Sequence, residues 1–208
     1  IITFSRPLIV IGALNWIRIA AEKWGILFFI NYDEALGYYA IIYQFGYYPI
    51  SLLVNLLTNY LRPIYFERAG DNKEMLISTY LLGIKIFISI VIGLTFFIYI
   101  IFNYREIIFS VLLDYKYKSV SYLIGLMMMS SLLNESTSFV TLLMQTKRDT
   151  KPLIKPNALS YLLGLLLTLT GAYLYGLYGV VLASLINSSI RFIYFLLLCR
   201  IHYKKLIT

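Results

Sequence analysis

The stretch PLIVIGALNWIRIAAEKWGILFFI, from Pro7 to Ile30, decides the fold. It is long enough to cross a bilayer, for which about 20 predominantly apolar residues suffice. It also carries Asn15, Arg18, Glu22 and Lys23 near its middle. A charge at the bilayer centre costs roughly 2.5–3.5 kcal/mol on insertion scales, so it sits there only with a partner, a cavity or a task. At about 100° per residue, Asn15, Arg18 and Glu22 fall on one helical face, with Lys23 to its side. Glu22 follows Arg18 by four residues, the spacing at which the two neutralise each other. Two readings stand: a buried ion pair that fixes helix packing, or the wall of a wet, charged lumen.

The composition places the chain in a membrane. Its 208 residues are 60 % hydrophobic and 13 % charged, with a mean hydropathy of +0.78, whereas soluble domains are about 25 % charged. Tyrosine is so frequent, at 20 residues, that no single tyrosine is read as functional. The one cysteine, Cys199, excludes an internal disulfide, and the one histidine, His202, excludes a His-rich metal site. The chain opens on Ile1 with no charged leader before Pro7. It reads as the middle of a longer protein.

Working outward, six apolar segments of spanning length are expected, at about 7–30, 37–60, 76–102, 119–144, 157–174 and 179–198. The fold class is all-α, an integral six-helix transmembrane bundle over residues 1–208. Pro49 predicts a kink in the second segment, because proline removes a helix hydrogen bond. Asn31 to Glu34 form a short acidic turn, and Gly70-Asp71 a turn in a charged loop. In NYREIIFSVLLDYKYKS, residues Ile107, Ile108, Val111 and Leu112 share a side, which predicts a short interfacial helix. QTKRDTKPLIKP is basic and broken by Pro152 and Pro156.

Lysine and arginine assign the orientation. Arg6, Arg62, Arg68, Lys73, Lys147, Arg148, Lys151, Lys155, Arg200, Lys204 and Lys205 fall on one side of the six segments, and only Arg105, Lys116 and Lys118 on the other. Both ends of the segment are therefore expected in the cytoplasm, in the cytoplasmic (inner) membrane.

Each segment carries a polar or small-residue stripe. The second has Gln44, Tyr48, Ser51, Asn55, Thr58 and Asn59, ending at Arg62. The third has Lys85 and Ser89. Lys85 lies roughly 13 Å from the start of its helix, within snorkelling reach of the cytoplasmic face. The fourth has Ser130, Ser131, Asn134, Ser138 and Thr141, with Glu135 on the border. The fifth has Asn157, Ser160, Gly164, Thr168 and Gly171, and the sixth has Ser184, Asn187, Ser188 and Arg191. Small residues four apart also serve plain helix packing, the simpler reading for Ser160, Gly164 and Thr168. Two mid-membrane cations, Arg18 and Arg191, with two anions, Glu22 and Glu135, exceed what packing needs. A solvated cavity with a positive wall is the economical explanation, and it suits an anion, because guanidinium binds phosphate oxygens bidentately.

Other chemistry has no signature. The chain has no phosphate loop of the ATPase type, no HExxH and no cluster of histidine or cysteine. An acidic turn explains Asp33-Glu34 better than a general-base pair. No catalytic, cofactor, metal or nucleic-acid site is expected.

The order of features resembles the second half of the polysaccharide flippases of the multidrug/oligosaccharidyl-lipid/polysaccharide exporter superfamily. Arg6-Pro7-Leu8 leads into Leu14-Asn15-Trp16, Lys23-Trp24 and Ala35-Leu36-Gly37-Tyr38-Tyr39. Arg62-Pro63 leads to Glu67 and Gly70-Asp71, and Gln145-Thr146-Lys147 precedes the fifth segment. Tyr175-Gly176-Leu177-Tyr178-Gly179 joins the last two, followed by Val180-Val181 where the family often has small residues. The ordered set, over essentially the whole chain, carries the resemblance. It implies one MATE-like lobe of two six-helix lobes around a cavity, with the N-terminal lobe on the same chain or a second subunit. It implies movement of an undecaprenyl-diphosphate-linked oligosaccharide between leaflets by alternating access. In that context Arg18 and Arg191, with Lys23 nearby, are candidates for the diphosphate. Asn15, Asn134 and Asn187 are candidates for sugar hydroxyls, and Glu22 and Glu135 for charge balance or a coupling cation. The alternatives are a cation-coupled multidrug exporter on the same fold, whose site should be acidic and aromatic, and a membrane-embedded polymerase or glycosyltransferase. The latter is expected to have a large external loop, and the longest outer connection is about 17 residues, mostly apolar.

Cysteines at Asp33 and Lys147, on a Cys199→Ser background, are expected to react with an impermeant thiol reagent from outside and from the cytoplasm respectively. Reaction of both from the same side would contradict six crossings.

Overall fold

In the computed structural model, residues 2–30, 34–69, 73–145 and 153–207 are described. They are almost entirely helical, without a strand among them. The helices are α1 (Ile2–Phe29), α2 (Ala35–Ile42), α3 (Tyr48–Ala69), α4 (Lys73–Asn103), α5 (Arg105–Leu112), α6 (Leu123–Gln145) and α7 (Ile154–Ile207). A π-helical turn, Tyr43–Tyr47, joins α2 to α3, and a 3-10 turn, Tyr115–Val120, follows α5. Helix is what an apolar solvent demands, because each backbone N–H and C=O must be satisfied within the segment.

Among the described residues three helices, and not the six expected segments, are long and apolar enough to cross a membrane: Ala35–Arg68, Ile77–Asn103 and Ile154–Ile201, with α1 and α6 not among them. The surface agrees. Ile88, Ile92, Phe96 and Tyr99 on α4, and Leu159, Leu162, Leu166 and Tyr173 on α7, are exposed. Arg18, Glu22, Ser130, Ser131, Glu135 and Arg191 are buried. Water would favour the reverse.

The expected segments map onto this order with differences. The second runs through α2, the π turn and α3. In a regular helix the Pro49 ring would press on the Phe45 carbonyl and offer it no N–H. The chain answers by widening the turn before it, and the Tyr48 N–H reaches back to the Tyr43 carbonyl, five residues away. The fourth segment begins at Leu123 rather than near 119, after the 3-10 turn. The fifth and sixth both lie within α7, which breaks at Gly176, where φ is 59° and ψ is −138°. That backbone conformation is essentially reserved for glycine. The chain folds back there, bringing Gly171 and Gly179 into backbone contact. The short helix expected in the third connection is α5: Ile107, Val111 and Leu112 are exposed, and Phe109 is buried. Asp33, the Gly70-Asp71 turn and the basic run at 146–152 lie outside the described residues.

Two apolar clusters close the ends of the bundle. Ile26, Ala35, Tyr39, Ile42, Leu123, Ala172 and Val180 pack at the Gly176 end. Tyr65, Tyr80, Phe139, Leu153, Phe195 and Cys199 pack at the other. A third cluster, including Ile50, Val54, Ile98, Phe109 and Met128, joins α3, α4, α5 and α6. Most of the buried polar side chains lie in a belt between the first two.

A Cβ on Gly179 would stand 2.0 Å from the Gly171 carbonyl oxygen, whereas one on Gly12 meets nothing within 4 Å. Gly179→Ala is therefore expected to lower the thermal midpoint of the detergent-solubilised protein. Gly12→Ala should leave it unchanged or raise stability by roughly 0.5–1 kcal/mol through helix propensity. Equal midpoints for both variants would show that the two arms of α7 do not touch there.

Candidate functional site

The belt begins on α1. Arg18 Nη1 lies 3.0 Å from Glu22 Oε1, one turn further along the helix. The other oxygen of Glu22 accepts the hydroxyl of Tyr39 on α2. Arg18 and Glu22 are 5 % and 2 % exposed, so the pair is sealed within the bundle. Tyr39, Tyr43 and Tyr47 then ascend one side of the helix through the π turn. The Tyr39 and Tyr43 rings lie 5.9 Å apart and tilted, and Tyr43 and Tyr47 stack at 4.8 Å.

At Tyr47 the belt crosses to α6 and α7. Arg191 Nη1 donates to Asn134 Oδ1 at 2.6 Å. Asn134 Nδ2 donates to the Tyr47 hydroxyl at 2.7 Å and, more weakly, to Glu135 Oε1 at 3.4 Å. The Tyr47 hydroxyl donates to Glu135 Oε1 at 3.4 Å. The bonds share one direction, from guanidinium through amide and phenol to carboxylate, so each polarises the next. Arg191 Nη2 donates to Asn157 Oδ1 at 2.9 Å, and its guanidinium lies over the Tyr161 ring at 4.9 Å. Among the described residues Arg191 forms no salt bridge. Its charge is met by two neutral amides, two rings and, through the relay, Glu135.

Glu135, itself buried, is also linked to the exposed side of α3. Ser51 Oγ donates to it at 3.0 Å and Asn55 Nδ2 at 3.3 Å, both from α3. Asn55 belongs to a stripe with Gln44, Tyr48, Asn59 and Arg62, all exposed along a helix of spanning length. Thr58, expected in the same stripe, is buried instead.

The belt therefore unites six of the eight predicted residues: Arg18, Glu22, Asn134, Glu135, Asn187 and Arg191. Asn187 and Arg18 meet over Gly164, which has no side chain to hold them apart. Small residues here admit polar groups as well as a neighbouring helix. Three buried atoms of the belt, Arg18 Nε, Arg191 Nε and Asn187 Oδ1, have no hydrogen-bond partner among the described residues. Asn15 is half-buried, short of the belt, and Lys23 is exposed, turned away from it. Sequence reasoning missed Tyr39, Tyr43 and Tyr47 as members, although their four-residue spacing was in view.

Asn134 is the hinge of the relay. Asn134→Leu and Arg191→Leu are expected to be coupled by about 1 kcal/mol in a double-mutant cycle, the scale of interhelical hydrogen bonds in lipid. Additive losses of stability would mean that the two side chains do not act together.

No family model matches the chain, and no curated protein or solved structure matches it.

Proposed function

We propose that this chain is one lobe of a transporter that moves a lipid-linked, diphosphate-bearing oligosaccharide between the leaflets of the cytoplasmic membrane. In this reading the chain crosses the membrane six times, with both ends in the cytoplasm. A second lobe faces it across a water-filled path, and access alternates between the two sides.

One observation carries the proposal: an exposed polar stripe runs along a helix of spanning length and is joined inward to buried charge. Exposed amides have no partners in hydrocarbon, so such a face belongs against water or another polar surface. From Glu135, beside the stripe, the relay leads to Arg191. The Nε–H groups of Arg18 and Arg191, which find no acceptor among the described residues, suit phosphate oxygens. Because both arginines are buried, phosphate reaches them only when the helices around the belt part, as an alternating cycle requires.

The second reading, a cation-coupled exporter, draws on the same stripe. The charge nearest the surface there is the Glu135 carboxylate, amid tyrosines, which is the chemistry a cationic cargo wants.

The test is export in the full-length protein, read as surface glycan in a flippase-deficient strain at matched expression. Arg18→Ala and Arg191→Ala are expected each to abolish export. Removing a mid-membrane charge eases insertion by about 2–3 kcal/mol, so failed insertion would not explain the loss. Lysine at either position should retain part of the activity, because it keeps the charge and loses the fork. Lys85→Ala should matter less, since Lys85 is exposed on α4. Normal glycan in both alanine variants would end the anion reading. Loss confined to Glu135→Gln, together with drug sensitivity, would favour the cation exporter.

A further inference from the structure

A groove opens between α1 and α2, on the far side of Tyr39 from the core. Its volume is about 420 Å³, and Ile19, Lys23, Leu36, Tyr39, Ala40 and Tyr43 line it. That size lies within the range of small-molecule sites, roughly 300–1,000 Å³. Its walls are aliphatic and aromatic, and its one charge is Lys23, which is exposed and forms no salt bridge among the described residues. An exposed ammonium at the rim of an apolar groove, close to the end of its helix, is placed to meet an anionic headgroup whose chain lies along the apolar walls. The complementary ligand is a phosphate carried on an apolar chain.

Position narrows this further. Lys23 is six residues before Phe29, the end of α1, which is roughly 9 Å at 1.5 Å per residue. Leu36 and Ala40 lie in the first turns of α2. The groove thus sits toward the turn that the transport reading places outside the cell, and Arg18 lies deeper, about one and a half turns back along α1. Lys23, Tyr39 and the Glu22–Arg18 pair form a continuous path from groove to belt.

We infer that this groove is the outer-leaflet seat of the transported lipid: Lys23 holds its phosphate, and Ile19, Leu36, Ala40 and Tyr43 hold the first units of its single polyprenyl chain. The inference rests on the transport reading and adds to it a place where the cargo pauses before release.

The test uses the purified full-length protein and native mass spectrometry, with undecaprenyl phosphate as the probe. Undecaprenol and phosphatidylglycerol serve as comparisons. Undecaprenyl phosphate should bind, and Lys23→Ala should weaken it about tenfold, the scale of one charge-assisted hydrogen bond. Lys23→Arg should retain binding, and Ala40→Trp, which fills the groove, should abolish it. A benzophenone side chain at Leu36 should crosslink the probe. Thermal midpoints close to wild type would confirm that both groove variants fold. Equal binding of undecaprenol would remove the role of Lys23, and equal competition by phosphatidylglycerol would make this an ordinary lipid site. Binding unaffected by Lys23→Ala and Ala40→Trp, or no binding at all, would overturn the groove. These failures are separable from failure of the transport reading, which is judged by export in Arg18→Ala and Arg191→Ala, residues that do not line the groove.

Discussion

Everything in this structure depends on how two arginines, Arg18 and Arg191, are accommodated inside a helical bundle whose outer surface is largely apolar. A guanidinium cannot shed its proton, and an unpaired charge in hydrocarbon is among the costliest things a fold can contain. Arg18 is met locally, by Glu22 one helical turn away. Arg191 is met at long range, by amides from α6 and α7 and by a relay that ends on Glu135. The first solution lies within α1 and is tied to α2 alone, through the Tyr39 hydroxyl on Glu22. The second requires α3, α6 and both arms of α7 to hold their register, because the relay draws a side chain from each or from the turn beside it.

The remainder of the architecture follows from that requirement. Hydrophobic burial does not draw helices together in lipid, where tails and leucines are equally apolar. Close packing and hydrogen bonds must do so. Backbone contact at Gly171 and Gly179 fastens the two arms of α7. Ser130 hydrogen-bonds Ser184 at 2.9 Å and Ser188 at 3.1 Å, fastening α6 to the second arm. Ser131 donates to the Tyr47 carbonyl at 2.7 Å, tying α6 to the π turn that Pro49 induces. That turn carries Tyr47, the phenol through which Asn134 and Glu135 are joined.

Much of this was legible in the sequence, and the divide is physical. Membrane-spanning character follows from the apolar content of long segments, and the Arg18–Glu22 pair follows from a spacing of four. Both are local properties. The Arg191–Asn134 and Asn134–Tyr47 bonds join residues 57 and 87 positions apart, and no periodicity within a helix reports such a meeting. Tyr39, Tyr43 and Tyr47 were hidden among 20 tyrosines. Pro49 announced a disturbance, but whether a helix kinks or widens depends on what packs against it. Lys23 stands one residue beyond Glu22, and that single 100° step turns it from the belt to the groove.

The central claim is that the stripe on α3 faces water within the membrane. Single cysteines at Gln44, Asn55 and Asn59, and at the exposed Leu53 and Leu57 on the opposite side of the helix, can be placed in the full-length protein on a Cys199→Ser background. Reaction with a membrane-impermeant thiol reagent in intact cells, and in inverted vesicles for the inward half of the cycle, then reports which face is wet. Reaction at Gln44, Asn55 and Asn59 but not at Leu53 or Leu57 is the result this account requires. Protection of all five positions, or reaction without regard to face, would contradict it.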